Sequence, residues 1–239
     1  MKKETTLRYF LSPPQTCSYL PQQQASTAFT DPEQHVDDAI YSRLAEHGFR
    51  RSGSDFYRPH CQQCQACIPL RVAVQKFQPN RTQRRTWRHM KNITTQIKTV
   101  EFNEEYFELY CRYLKSRHKD GGMDQPTPES FSSFLNCKNI TTHFIEFRIS
   151  GKLLAVAVAD QLNNAWSAVY TFFDPDMGKL SPGVLAILWE INHCRNKDMT
   201  WLYMGYWIES CQKMNYKQNY QPCQTFSNEE WQYLNSPKT

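Results

Sequence analysis

Residues 143–173 read HFIEFRISGKLLAVAVADQLNNAWSAVYTFF. Three largely apolar runs fill this segment, at residues 143–149, 153–162 and 166–173, and a Ser-Gly pair and an Asn-Asn pair separate them. Runs of this length and composition are typical of strands, and such pairs are typical of hairpin turns. The segment therefore predicts three consecutive strands.

The flanking segments predict further helices and strands from the spacing of their apolar residues and from Pro and Ser/Thr at helix starts. In chain order, the predictions are a strand at 93–100, a helix at 104–117, a short helix beginning at Thr127-Pro128, the three strands above, a helix from Ser181-Pro182 to about Asn196, and a strand at 201–207.

This order, βααβββαβ, resembles that of the N-acetyltransferase (GNAT) fold, in which two central strands of a mixed sheet part to admit an acyl donor. We therefore expect residues 92–239 to form a GNAT-like mixed-sheet acyltransferase domain of the α/β (α+β) class. Residues 1–91 are expected to form a small cysteine-containing N-terminal domain, in which Asp31-Pro32 begins a helix and Gly48 ends it. Fold alone does not fix the chemistry.

The charge of the chain is unevenly distributed. The net charge is +5 over 239 residues, yet residues 56–100 contain nine Lys or Arg and no Asp or Glu. The rest of the chain carries 19 basic and 23 acidic residues. A local positive field of this kind attracts polyanions, although an ordinary solvated surface is the alternative.

Within this basic segment, arginines surround one tryptophan. Arginine binds phosphate through two parallel hydrogen bonds, and tryptophan stacks on unpaired bases, so we expect an RNA-binding site. The alternative is an arginine-rich turn that packs the tryptophan into the domain junction. The predicted RNA-binding residues are Arg81, Arg84, Arg85, Trp87 and Arg88.

Three cysteines follow one another at two-residue gaps, at Cys61, Cys64 and Cys67. This spacing lets thiolates converge on one Zn ion or iron-sulfur cluster, with Cys17 or His60 as the fourth ligand. Free thiols without a metal are the alternative. The chain shows neither an apolar membrane span nor a secretory signal, so we expect a cytoplasmic protein with no membrane partner. In that reducing compartment, an odd count of nine cysteines indicates free thiols, with or without a metal site, and not a disulfide framework.

Several spaced motifs occur in order along the chain, at residues 17–21, 57–71, 79–85, 117–124, 151–160, 167–170, 174–175, 203–206 and 211–217. Together they resemble the motifs of the bacterial aspartate/glutamate leucyltransferases of the arginyl-tRNA-protein transferase family. One departure is that eukaryotic relatives carry Cys-x-x-Cys where this chain has Cys17-Ser-Tyr-Leu20.

The resemblance implies that leucine passes from leucyl-tRNA to the α-amino group of proteins beginning with Asp or Glu, which marks them for degradation by the N-end rule. The partners implied are leucyl-tRNA and these acidic proteins. An aminoacyl ester is already activated, and an α-amino group with a pKa near ~8 is partly neutral, so we expect direct attack without a required cofactor or a covalent nucleophile. Proximity and an oxyanion hole of strand-edge N–H groups would supply most of the rate.

Residues within the family motifs are the candidates for this chemistry. The predicted catalytic residues are Asp160 or Asp174, to orient or deprotonate the ammonium, and Tyr170 and Tyr206, to hydrogen-bond the amine or the leaving 3′ oxygen. The predicted substrate-binding residues are Arg71, Lys213 and Lys217, for the acidic side chain of the acceptor, and Met204 and Trp207, for the leucyl group. Core packing is the alternative for the aromatic residues and Met204, and surface solubility for the two lysines.

Two other classes of function remain open from the residues alone. A coenzyme A-dependent N-acyltransferase fits the order of elements, but the glycine-rich phosphate turn typical of such enzymes is missing before Ser181. A non-catalytic, metal-stabilised RNA-binding protein fits the cysteines and arginines, but it leaves the motifs of the second half unexplained.

Overall fold

The computed structural model describes residues 7–117 and 125–234, so the motif residues 118–124 lie outside the described part. The strands are β1 (Tyr9–Leu11), β2 (Gln15–Thr16), β3 (Gln24–Ala25), β4 (Thr27–Thr30), β5 (Arg50–Ser52), β6 (Asp55–Pro59), β7 (Ile68–Ala73), β8 (Ile93–Thr99), β9 (Thr142–Ile149), β10 (Lys152–Leu162), β11 (Ala165–Phe173), β12 (Trp201–Trp207), β13 (Cys223–Ser227) and β14 (Glu230–Tyr233). The α-helices are α1 (Asp38–Glu46), α2 (Arg81–Trp87), α3 (Glu104–Arg117), α4 (Pro128–Leu135) and α5 (Pro182–Asn196), with 3-10 helices at Val74–Lys76, Arg88–Asn92, Pro175–Leu180 and Asn215–Asn219.

An eight-stranded mixed sheet forms the centre of the molecule, in the order β14-β13-β7-β12-β11-β10-β9-β8. The pair β11 and β12 is parallel, and the other neighbouring pairs of this sheet are antiparallel. The predicted α/β class is confirmed, and so is the element order βααβββαβ, which runs from β8 through α3, α4, β9, β10, β11 and α5 to β12.

The sequence of strand β10 is a nearly continuous apolar run because core residues cover both faces of the strand. Leu154 and Ala157 face one core cluster, which also includes Leu188 of α5. Leu153 and Val156 face the other cluster, which is formed with α3 and α4. Because both faces of the strand are covered, neither set of alternating side chains needs to be polar.

A smaller four-stranded sheet, in the order β1-β4-β6-β5, lies in the N-terminal part of the chain. Strand β7 precedes residue 91, yet it pairs with β12 and β13 in the large sheet. The domain boundary between residues 1–91 and 92–239 stays a prediction, and the large sheet takes strands from both sides of it.

Three local predictions differ from the structure. Helix α1 begins after an Asp37 cap, whose carboxylate accepts from the Ile40 N–H at 2.8 Å, whereas Asp31 pairs with Arg8 at 2.5 Å. Ser181 has a φ of +53° and makes no side-chain cap. Residues 81–87 form a helix that an Asn80–Gln83 capping box begins, in place of the arginine-rich turn considered for this segment. None of the described helices is long and apolar enough to cross a membrane.

Candidate active site

Strands β11 and β12 separate partway along their length. They pair from Ala165 with Trp201 to Ser167 with Tyr203, and no pairing continues beyond that point. Next to the separation, the register between β10 and β11 shifts so that Val169 is an extra residue of β11. A bulge bends its strand, and bulges are frequent beside active sites. We call the gap beyond Ser167 and Tyr203 the strand split.

The guanidinium of Arg50, which comes from β5, lies at the strand split. It donates to the carbonyl of Ala168 at 2.6 Å and to that of Val169 at 3.4 Å. On the β12 side, a Cβ at Gly205 would lie only 2.9 Å from the Arg50 Cζ, and Gly205 has a φ of +73°. Glycine is therefore required at position 205 both for the backbone conformation and for the close approach of Arg50.

Two buried ionisable groups surround Arg50. Glu190 of α5 is fully buried, and among the described residues neither of its carboxylate oxygens has a hydrogen-bond partner. Burial raises the pKa of Glu190 to about 8, and the positive charge of Arg50 opposes the shift. Lys217 is 8% exposed, and its Nζ donates to the carbonyl of Tyr206 at 2.6 Å. Burial lowers the pKa of Lys217 to about 7, and Arg50 contributes to the lowering.

The arrangement brings a fixed cation, an orphaned carboxyl group and an amine that is partly neutral at pH 7 to one opening in the sheet. Arg50, Glu190 and Lys217 lie on β5, α5 and the 3-10 helix Asn215–Asn219, which are distant in sequence. Perturbed groups gathered at an opening are typical of catalytic sites. Tyr216 is exposed, partial burial raises the pKa of its hydroxyl, and the charges of Glu190 and Arg50 act on that pKa in opposite directions.

We expect the Lys217 amine to make stability depend on pH. Its native pKa of about 7 is below the ordinary value of 10.5, so between these values the native state binds fewer protons than the unfolded state. The free energy of unfolding should therefore rise with pH across this window, since the penalty for burying the charged form is greatest below pH 7.

Urea unfolding of the wild type and of Lys217→Met at pH 6.5, 7.5 and 8.5 measures this contribution. The free energy of unfolding of the wild type, relative to that of Lys217→Met, should increase as pH rises. A difference that stays constant with pH would contradict the buried amine, and Lys213→Met is the matched control because Lys213 is exposed.

The two predicted catalytic aspartates are both occupied by ion pairs. Asp160 is completely buried, and Arg51 donates to its two oxygens at 2.6 and 2.7 Å. Asp174 is also buried and pairs with Lys152 at 2.9 Å and Arg112 at 3.2 Å. This geometry favours a structural role for Asp160 in particular, because no face of its carboxylate is open to a substrate.

The two predicted catalytic tyrosines differ in their surroundings. The Tyr206 hydroxyl lies 3.0 Å from the Gly48 carbonyl oxygen and 3.1 Å from that of Tyr57, so it joins β12 to the N-terminal part. The Tyr170 hydroxyl lies one residue beyond the bulge in β11, and it is buried with no hydrogen-bond partner in the part of the chain that the structure describes. Tyr170 therefore fits the predicted role of donor to a reacting oxygen better than Tyr206 does.

Among the predicted substrate-binding residues, Arg71 is occupied by contacts with aromatic rings, with the Tyr203 hydroxyl at 3.1 Å and with Gln224. Its guanidinium lies 3.9 Å from the ring centre of Trp201 and 4.2 Å from that of Trp231, and it donates to Gln224 at 2.7 Å. Met204 and Trp207 are buried in the core cluster that includes α5. Their leucyl-binding role, like the role of Lys213, stays a prediction.

The arginines predicted to bind tRNA lie on helix α2 and directly after it, where Arg88 begins the next 3-10 helix. Arg81, Arg84, Arg85 and Arg88 are exposed. Arg81 and Arg88 are each three or four positions from the adjacent pair Arg84 and Arg85, so the four share one side of the helical segment. None of the four has an ion-pair partner in the described ranges 7–117 and 125–234. Trp87 is partly buried and packs against the core beside α5.

The four cysteines predicted as metal ligands, Cys17, Cys61, Cys64 and Cys67, are partly exposed and lie near one another. Burial and the nearby Cys17, Cys61 and Cys64 raise the pKa of the Cys67 thiol to about 12. Within the described residues, no group of three or more His, Cys, Asp or Glu side chains lies close enough together to bind one metal ion. The Zn or iron-sulfur centre stays a prediction, and no step below depends on it.

Sequence reasoning missed Arg50 and Glu190. Arg50 stands in an ordinary polar segment, and only long-range folding brings it to Ala168. Glu190 left a signal, because it is the one acid within the apolar stretch from Leu185 to Ile191. Gly205 lies within a family motif, where a glycine indicates a close approach to the backbone. The sequence does not identify which residue makes that approach.

Family models match most of the chain. The model described as "Arginine-tRNA-protein transferase, N terminus" matches residues 15–85, and that described as "Arginine-tRNA-protein transferase, C terminus" matches residues 105–227. An aspartate/glutamate leucyltransferase of Alcanivorax borkumensis is 48% identical over 98% of this chain and 96% of its own length. One from Pseudomonas putida is 47% identical over 98% of this chain and 100% of its own length.

Solved structures also show similarity at low sequence identity. FemX matches with a TM-score of 0.48 and 8% identity over 87% of this chain and 81% of its own. The L-PGS structure from Bacillus licheniformis matches with a TM-score of 0.48 and 12% identity over 60% of this chain and 46% of its own.

Proposed function

This chain belongs to the arginine-tRNA-protein transferase family, and we propose that it transfers leucine from leucyl-tRNA to the α-amino group of proteins that begin with Asp or Glu. The observation that carries the choice of leucine is the near-complete match to relatives named aspartate/glutamate leucyltransferase, at 48% and 47% identity. The predicted pathway is degradation by the N-end rule.

The strand split supplies a place where the two substrates meet. The amine of the acceptor attacks the ester carbonyl, a nitrogen–carbon bond forms, and the bond from that carbon to the 3′ oxygen of the tRNA breaks. The ester is already activated, so the chain needs only to orient the two groups and to stabilise the developing oxyanion. Backbone N–H groups at the separated edges of β11 and β12 are suited to that task.

Arg50 is the cation best placed to bind the acidic side chain of the acceptor. Its guanidinium is held at the split by two carbonyl groups, while it remains partly exposed. Guanidinium groups bind carboxylates through two parallel hydrogen bonds. Lys217 is less suited to this task because burial keeps its amine partly neutral near pH 7, with a pKa of about 7.

Lys217 is instead suited to accept a proton. The α-ammonium of the acceptor must lose a proton before it attacks, and an efficient general base has a pKa near the working pH. The Lys217 amine has a pKa of about 7 and lies beside the split through its bond to Tyr206. We therefore assign Lys217 to proton acceptance and Arg50 to recognition of the acid.

A labelled-donor assay tests the proposed function. The purified protein is incubated with a peptide beginning with Asp and with radiolabelled leucyl-tRNA, arginyl-tRNA or acetyl coenzyme A, in separate reactions. We expect label in the peptide from leucyl-tRNA alone, and little label in a matched peptide that begins with Asn. Transfer from arginyl-tRNA would reassign the donor, transfer from acetyl coenzyme A would reassign the class of enzyme, and no transfer from any donor would support a binding protein.

A further inference from the structure

A narrow cavity of about 160 Å³ opens between helices α2 and α5, on the side of α5 away from Glu190. Its walls are the apolar faces of Phe77, Trp87, Leu188 and Ile191. Pockets that enclose drug-sized ligands measure ~300–1,000 Å³, whereas a cavity of ~150 Å³ accepts a single aromatic ring. The cavity, which we call the α2–α5 slot, therefore has the size and lining for one planar ring system.

Fixed polar groups line the mouth of the slot. Arg84 donates to the Pro79 carbonyl at 2.7 Å, and Arg195 donates to the Val74 and Phe77 carbonyls at 2.9 and 2.6 Å. The two guanidiniums are thus held in place before any ligand binds. Asn192 also lines the slot, and its amide has no hydrogen-bond partner in the part of the chain that the structure describes. An amide can both donate to and accept from the edge of a base.

The surroundings of the slot match a nucleic acid strand. Arg81, Arg85 and Arg88 lie exposed along the same helical segment as Arg84 and Trp87, without acidic partners in residues 7–117 and 125–234. Arginines along one helix bind successive phosphates, and an aromatic wall beside them stacks on a base that is not paired. A positive row next to a flat apolar slot is therefore complementary to single-stranded RNA.

We propose that the α2–α5 slot binds one unpaired nucleobase of the 3′ single strand of the donor tRNA, with its phosphates on the arginines of α2. This inference rests on the proposed function, because it takes an aminoacyl-tRNA as the donor. The 3′ strand is the choice among unpaired regions since it carries the reacting ester. Helix α5 presents Glu190 toward the strand split and Asn192 toward the slot, so the two places are separated by about one helix diameter, ~10 Å.

The binding test uses two RNA ligands, uncharged leucine tRNA and the same tRNA from which the unpaired 3′ nucleotides have been removed. Asn192→Trp fills the slot from its rim, and Trp87→Ala removes one wall. We expect each variant to raise the Kd for the full tRNA by about 10-fold, since stacking of one base contributes ~1–3 kcal/mol. Binding of the shortened tRNA should stay within about 2-fold of the wild type.

The matched control is Arg81→Ala, which lies on α2 but does not line the slot. It should weaken binding of the full tRNA and lower the salt dependence of that binding, because a phosphate contact is lost, whereas Asn192→Trp should leave the salt dependence unchanged. Thermal unfolding shows whether each variant is folded. If Trp87→Ala does not fold, Asn192→Trp alone tests the proposal. The proposal is overturned if Asn192→Trp weakens binding of both RNAs equally, or if it does not weaken binding of the full tRNA. The assay contains no acceptor peptide, so its outcome is separate from that of the leucine-transfer assay.

Discussion

Replacement of Arg50 by alanine is expected to lower kcat/KM for leucine transfer to a peptide beginning with Asp by about 100-fold. The guanidinium lies at the strand split, 2.6 Å from the Ala168 carbonyl oxygen, and we assign it to the carboxylate of the acceptor. Loss of one partner from a hydrogen-bonded charge pair that is shielded from water costs ~2–5 kcal/mol. For a matched peptide beginning with Asn, the change should be much smaller, so the preference for Asp over Asn should collapse.

Two further variants separate recognition of the acid from general damage. Arg50→Lys keeps the charge but loses the planar pair of donors, and we expect an intermediate preference. Gly205→Ala places a methyl group 2.9 Å from the Arg50 Cζ and should reproduce part of the loss. The matched control is Arg58→Ala, since Arg58 pairs with Glu229 at 3.0 Å instead. A preference for Asp that survives in Arg50→Ala would refute this assignment.

The second half of the fold was predictable because its signals are local. Helix α3 carries apolar residues at helical spacing and covers Glu104–Arg117 as predicted, and Thr127 caps α4 through a hydrogen bond to the Ser130 N–H. Strand β12 likewise spans Trp201–Trp207 as predicted. Each of these segments buries a continuous apolar stripe or face, so its pattern alone identifies it.

Local sequence patterns of this kind do not predict the N-terminal strands or the strand split. Strand β1 is short and exposed, and its pairing with β4 is set by residues about 20 positions away, as Tyr9 with Thr30 illustrates. The same limit applies to Arg50, whose carbonyl partners are 118 and 119 positions distant. A single sequence carries no trace of such pairings, because burial and charge at these positions are determined by the completed fold.

Substitution of Asp160 by asparagine is expected to lower the free energy of unfolding by about 3–5 kcal/mol. Arg51 and Asp160 are both completely buried, and Arg51 also donates to the Gly53, Leu135 and Thr142 oxygens at 3.0 to 3.1 Å. Asparagine keeps the shape but leaves the guanidinium charge without a counterion. In a chain of this size the loss corresponds to a decrease of about 10 °C in Tm.

A buried pair is costly to break but not costly to replace as a whole. The double variant Arg51→Met/Asp160→Leu should therefore recover part of the stability that Asp160→Asn loses, because both charges leave the core together. Recovery should be incomplete, because the Gly53, Leu135 and Thr142 oxygens then lose the donor that Arg51 supplied. Asp174→Asn is the matched control, and its effect should be smaller, since its partners Lys152 and Arg112 are 64% and 45% exposed.

The same variants decide between the two roles considered for Asp160. At a temperature where Asp160→Asn is folded, as circular dichroism verifies, a structural role predicts that kcat for leucine transfer stays within a few-fold of the wild type. A kcat that falls by about 100-fold or more while the variant is folded would instead indicate that Asp160 takes part in the reaction. The double variant sharpens the distinction, because a restored fold can restore activity only if the carboxylate itself takes no part in the reaction.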